Sequence, residues 1–175
     1  LPIEWEGERR YRAEGMLFVK LLLSPMPHAR VTRLDTSAAL AMPGVKAVYH
    51  ARGDDLGMPS LQGFPMLPPT LNRPIFANDV VRFVGDVIAA IVATSKAAAV
   101  DAAETVVVDY ERLEPIITPA QGLMPDAPIL FPEHGSNVCF GTEHGADVDP
   151  FEGADTIAEL TMVSQRLAGA PMENN

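Results

Sequence analysis

Residues 15–23, Gly-Met-Leu-Phe-Val-Lys-Leu-Leu-Leu, are apolar almost without interruption and are bounded by Gly15, Pro25 and Pro27. A short apolar run between turn residues predicts a strand buried on both faces, central to its sheet. After residues 28–34, the oxygen-bearing side chains of Asp35, Thr36 and Ser37 can cap the amides of a helix opening at Ser37-Ala38-Ala39-Leu40. Pro43-Gly44 ends that turn, and residues 45–49 resume an extended run. The clearest unit comes later: residues 80–84 and 87–93 read as strands, residues 96–105 as a helix, and residues 106–110 as a further strand. Thr94 or Ser95 can cap this helix, Ala99, Val100, Ala103 and Val106 fall at helical spacing, and Asp101 and Glu104 are left to face outward. Its small alanine face, with Ala102 and Ala103, predicts close packing on a sheet.

Between these units the pattern changes. Residues 57–74 hold five prolines with Met58, Leu61, Phe64, Met66, Leu67 and Leu71 between them, so neither a helix nor a central strand can persist there. Long apolar loops in compact domains often serve as binding walls or lids, and this one is either that or a loop folded onto its own domain. From Glu114 onward prolines recur at 115, 119, 125, 128 and 132, which predicts a peripheral crossover. Residues 137–140 read as a short strand, residues 147–151 as a turn or short helix, and residues 155–167 as a mixed apolar and polar strand.

Composition narrows the classes of function. A length of 175 residues with 47% hydrophobic content suits one folded domain. Thirteen basic against 23 acidic residues give a formal net charge of −10, which argues against a phosphate-backbone binder and so against nucleic acid. The charge is uneven: residues 1–52 hold eight Lys and Arg against five Asp and Glu, and residues 100–175 hold two, Arg112 and Arg166, against fourteen. The acidic end is a docking face for a basic partner or, more plainly, a solvated surface. A single cysteine, Cys139, excludes an intrachain disulfide and fits a cytoplasmic setting. No apolar run approaches the ~18 residues of a membrane span, and the first ten residues lack the apolar stretch of a signal peptide.

A search for chemistry finds no active site. No Gly-x-Gly-x-x-Gly or Gly-Lys-Ser/Thr lies at a strand-to-helix junction. His28, His50, His134 and His144 share no metal-ligand spacing. Cys139 has His134 and His144 near it in sequence, but an apolar Val-Cys-Phe setting reads as a small buried hydrophobe before it reads as a nucleophile. Asp54-Asp55 and Asp147-x-Asp149 read as turn and capping carboxylates, since the second pair lacks the glycine and distal glutamate of a calcium loop. The methionines at 58, 66, 124 and 162 form no helical stripe and read as gap-fillers of a core. No residue is therefore assigned as catalytic, cofactor-binding or metal-binding.

Several strings nonetheless resemble a known family. Gly15-Met16-Leu17 is followed by Ser24-Pro25-Met26-Pro27-His28-Ala29-Arg30-Val31, by Leu34-Asp35-Thr36-Ser37-Ala38-Ala39-Leu40 and by Pro43-Gly44-Val45. Val81-Arg82-Phe83-Val84-Gly85-Asp86-Val87-Ile88-Ala89-Ala90-Ile91-Val92-Ala93 and Asp101-Ala102-Ala103-Glu104-Thr105-Val106-Val107-Val108-Asp109-Tyr110-Glu111 follow in order. Together they are similar to the α/β hammerhead domain of the large subunits of aldehyde oxidase, xanthine dehydrogenase and aerobic carbon monoxide dehydrogenase. The resemblance spans roughly residues 15–173. Ile88 stands where the family carries proline or valine, and residues 12–14 are shorter than the family's stretch before Gly-Met-Leu.

The resemblance implies an α+β fold: an α/β hammerhead with a mixed sheet, one main packed helix and the long proline-rich loop. It implies a lead-in at 1–14, the hammerhead at 15–163 and, at 164–175, the start of a linker into a molybdenum-cofactor domain, since Gln165-Arg166-Leu167-Ala168 and Ala170-Pro171-Met172-Glu173 look like the family's lead-in to that domain. The implied role is a non-catalytic scaffold of a molybdenum hydroxylase that packs on the molybdopterin domain and lines substrate access with residues 57–74. The molybdopterin-type cofactor belongs to the parent subunit rather than to this chain, and iron-sulfur and flavin subunits belong to the parent complex. The alternatives are a stand-alone interaction module of the same fold using the acidic C-terminal part, and a small enzyme built on Cys139 with His134 or His144.

Overall fold

The computed structural model describes residues 13–52, 67–72, 74–141, 149 and 151–162. The chain divides into two units, Leu1–Gly141 and Thr142–Asn175. In the first, the elements run β1 (Phe18–Leu23), β2 (Ala29–Asp35), α1 (Ser37–Ala41), β3 (Val45–His50), a 3-10 turn (Pro69–Leu71), β4 (Val80–Val81), β5 (Val87–Ala93), α2 (Lys96–Glu104), β6 (Val107–Arg112) and the short α3 (Pro119–Gly122). The sheet resolves into two of three strands each, ordered β1-β5-β3 and β4-β2-β6, with every pairing antiparallel. The α+β class with one main helix is as the sequence implies.

The β5-α2 unit is the part the pattern places best. Val-Ile-Ala-Ala-Ile-Val-Ala makes β5 the central strand of its sheet, and all but its two intermediate valines are buried. Ser95, not Thr94, caps α2: its hydroxyl oxygen accepts the Ala98 N–H at 3.1 Å. Ala99, Ala102 and Ala103 are buried, and with Ala39, Ala89 and Ile91 the last two form one core cluster. Small side chains let the helix approach the sheet closely, so backbone proximity takes the place of large apolar volume. A second cluster, Ala29, Val31, Ala77, Val81 and Ile88, joins the two sheets.

Asp35 rather than Thr36 serves the start of α1, since its Oδ1 accepts from the Ser37 backbone N–H at 3.1 Å and from the Ser37 hydroxyl at 2.6 Å. Those bonds from Ser37, with the Arg33 guanidinium 2.9 Å from Oδ2, hold the Asp35 carboxyl down from its ordinary 3.8 to about 2. A depressed folded-state value means that the capping interaction is fully present above pH 3.8 and is lost as pH falls through about 2. An NMR titration of the Asp35 carboxyl carbon should accordingly give a midpoint near 2. A midpoint at the ordinary carboxylate value would show that the cap does not form.

Five sequence expectations are corrected. The 15–23 run is not a central strand buried on both faces: β1 is an edge strand, intermediate at Phe18 and Leu22 and exposed elsewhere. The 80–84 strand stops at Val81, because the Asp86 carboxylate takes the Arg82 N–H at 3.1 Å and the chain turns at Gly85, φ +95°. Residues 137–140 form no ladder: the Asn137 side chain bonds backbone groups of Leu130, Pro128 and Gly122, which crosslinks the crossover. In the second unit Asp149 Oδ1 accepts the Phe151 N–H at 2.9 Å, a turn-capping role as expected, while residues 155–162 of the expected 155–167 strand are exposed and in no ladder, residues 163–167 lying outside the described residues. Met124 and Met162 are exposed and so do not fill a core. Asp54, Asp55, Met58, Met66, His144, Asp147 and all but residues 67–72 and 74 of the proline-rich loop lie outside the described residues.

Candidate functional site: a cleft beside the end of the proline-rich loop

The motif that turns the chain out of β1 is held by its own serine. Ser24 is almost fully buried, and its hydroxyl accepts the Met26 N–H at 3.0 Å and donates to the Met26 carbonyl at 3.1 Å. Its backbone joins the turn after β4, with Ser24 N–H to Asp86 O and Gly85 N–H to Ser24 O both at 2.8 Å. The Tyr110 phenol, raised from its ordinary 10.0 by burial, is drawn the other way by a hydrogen bond with Ser24. Thus the Ser-Pro-Met-Pro string, the Gly85-Asp86 turn and the Tyr110-Glu111 end of β6 meet around one buried hydroxyl.

Beyond this junction lies a cleft of about 710 Å³, walled by His28, Arg30, Thr70, Asn72, Arg82 and Phe131 among others. The start of β2 places His28 and Arg30, β4 runs directly into Arg82, and the 3-10 turn supplies Thr70. His28 is buried, and its Nδ1 lies 2.6 Å from the Glu114 carbonyl oxygen. A carbonyl only accepts, so Nδ1 carries the hydrogen in this contact. Arg82 Nε donates to the Leu130 carbonyl at 2.7 Å, and its guanidinium lies 4.6 Å from the centroid of the Phe131 ring. Arg30 pairs with Glu111 at 3.4 Å, and Arg52 donates to the Val31 carbonyl at 2.5 Å and reaches Asp79 at 3.4 Å.

These contacts decide what the cleft can do. Its arginines are engaged within the same unit, Arg82 by the Leu130 carbonyl and the Phe131 ring and Arg30 by the Glu111 carboxylate, so they act as clamps on the cleft wall. Arg82→Met keeps the apolar stem and removes both the Leu130 bond and the ring contact. It should cost about 1–2 kcal/mol in urea unfolding. An unchanged unfolding midpoint would mean that Arg82 does not hold the 128–133 wall.

Among the described residues, the candidates singled out from sequence are not gathered into a site. His134 is bonded at both ring nitrogens, to the Thr70 hydroxyl and to the Val138 carbonyl, each at 3.0 Å, so both nitrogens are engaged elsewhere than at Cys139. Cys139 is half-buried and free rather than fully buried, and His50 Nδ1 accepts the Arg52 N–H at 3.2 Å. Among the described residues no group of three or more His, Cys, Asp or Glu could hold a metal ion. Sequence reasoning missed the clamps, Arg82 and Asn137 above all. Their signal was weak: a charged or amide side chain beside an apolar strand, with partners far along the chain.

Comparison with known proteins fits this arrangement. The family model described as the aldehyde oxidase and xanthine dehydrogenase a/b hammerhead domain matches residues 7–114, more than half of the chain. The nicotine 6-hydroxylase large subunit of Paenarthrobacter nicotinovorans is 33% identical over 91% of this chain and 20% of its own length. The carbon monoxide dehydrogenase large chain of Afipia carboxidovorans is also 33% identical, over 91% of this chain and 21% of its own. A crystal structure of a Cu,Mo-CO dehydrogenase matches 69% of this chain and 15% of its own at a TM-score of 0.57 and 36% identity. The chain therefore spans about a fifth of the length of the curated relatives it matches. The two-sheet α+β unit with its buried Ser24 junction, and the match over residues 7–114, show that the chain belongs to the aldehyde oxidase and xanthine dehydrogenase a/b hammerhead family.

Proposed function

We propose that this chain is the non-catalytic hammerhead scaffold of a molybdenum hydroxylase large subunit. Residues 15–163 form the scaffold, residues 1–14 lead into it, and residues 164–175 begin the linker to the molybdenum-cofactor domain. It packs against that domain and lines substrate approach with the proline-rich loop and the cleft beside it. The observation that carries the reading is the use of the family strings: Ser24, His28, Arg82 and Asp86 all bond backbone of their own unit, which is work of support rather than of reaction.

The described residues do not fit as holders of the molybdopterin-type cofactor, since they contain no metal-ligand cluster and the cleft's arginines already have partners. In this reading the cofactor belongs to the parent subunit, where it supplies the oxidative hydroxylation. Electron-transfer partners with iron-sulfur and flavin groups belong to the parent complex. No helix among the described residues is long and apolar enough to cross a membrane. The proposed setting is cytoplasmic, which the lone Cys139 supports.

Mixing the chain with the cofactor-domain polypeptide from the same source should give a one-to-one complex on size-exclusion chromatography. Separate elution at micromolar concentration would remove the scaffold reading.

A further inference from the structure

The residues of β1 at positions 19 and 21, together with Leu17 just before it and Leu23 at its end, are apolar and stand open, with exposures of 44% at Leu17, 62% at Val19, 45% at Leu21 and 48% at Leu23. The register explains which side this is. Phe18, Lys20 and Leu22 lie opposite Ala93, Ile91 and Ala89 of β5, the side on which Ala89 and Ile91 pack with α2. Val19 and Leu21 lie opposite Val92 and Ala90, on the other side. The strand is also an edge: β5 is its sole partner among the described residues, so alternate N–H and C=O groups along its outer side meet no strand there.

A six-residue edge strand with five apolar side chains and one lysine has few of the features that keep edges from pairing. Its near-continuous apolar sequence is that of a strand covered on both faces, whereas the described residues cover one. We propose that the outer edge and bare face of β1 are the docking surface for the molybdenum-cofactor polypeptide of the parent large subunit. That polypeptide adds a strand to the β1 edge and buries Val19 and Leu21. The inference rests on the scaffold reading above, and it says which surface does the packing. That occupant is favoured because relatives matching nearly all of this chain hold about four times its length outside the match, so a large polypeptide of the same subunit is at hand.

The test compares the isolated chain with its complex with the cofactor-domain polypeptide, by hydrogen exchange and by the double variant Val19→Lys with Leu21→Lys. Both side chains are exposed, so the variant chain should melt as the parent does and yet lose the complex. In the unaltered complex the outward amides of β1 should exchange roughly tenfold or more slowly than in the free chain. A complex that forms with β1 exchanging as in the free chain, or that survives both lysines, overturns the docking surface and leaves the scaffold reading standing. Protection of β1 by self-association of the chain alone overturns the occupant. Absence of any complex overturns the scaffold reading and this inference with it.

Discussion

Ile91→Ala should lower the stability of the chain by about 2–5 kcal/mol, toward the upper part of that range. Ile91 is fully buried in the central strand, and the other buried members of its cluster are Ala39, Ala89, Ala102 and Ala103. Four alanines cannot rotate to fill the space left by three deleted carbons. Collapse would require the half-buried Leu22, Met42, Val45, Val48 and Val106 that pack against the cluster to swing inward, out of their own contacts, or the α2 backbone to move onto β5, which the capped helix resists. The hole therefore persists, and its cost adds to the lost transfer of apolar area from water. Urea unfolding should show a lower midpoint with an unchanged slope. A loss under about 1 kcal/mol would mean that the α2 and β5 packing is loose and that the cluster is not the core of the unit.

Gly44→Ala should cost about 2–3 kcal/mol, for two separate reasons. Gly44 has φ +88°, a region that side chains rarely adopt, and a Cβ built there would lie 3.0 Å from Thr94 Oγ1 and 3.4 Å from Ala98 Cβ. The Gly44 carbonyl also accepts the Thr94 N–H at 2.9 Å, so the turn before β3 is tied to the turn before α2 and cannot swing away freely. Gly85→Ala separates the two causes. It has a similar φ of +95° with nothing within 4 Å, so it should show the backbone cost alone, about 1 kcal/mol. Equal losses at the two positions in thermal unfolding would show that the close approach at Gly44 contributes nothing.

The two glycines and the β5-α2 unit illustrate what was legible in the sequence. Alanine spacing, a serine before the helix and a glycine after a proline are local signals, and each was realised by local physics at Ala99, Ser95 and Gly44. The failures share a different cause. A continuous apolar run at 15–23 states that a strand is buried but not which chain buries it. The shortening of β4 depends on the Asp86 carboxylate and on Ser24, which is remote in sequence. The loss of a strand at 137–140 depends on one amide, Asn137, finding three backbone partners. Likewise the cleft could not be read, because its key contact joins His28 to a carbonyl 86 residues away. The family strings marked these positions without saying what they do, and the structure shows them holding one another.

The central claim is that this chain supports a molybdenum centre it does not itself contain. The most direct measurement is molybdenum content and hydroxylase activity for three samples: the chain, the cofactor-domain polypeptide, and their mixture. The account predicts no molybdenum on the chain alone, and recovery of activity in the cofactor-domain polypeptide only when the chain is added. Stoichiometric molybdenum on the purified chain, or full activity of the cofactor-domain polypeptide without it, would contradict the account.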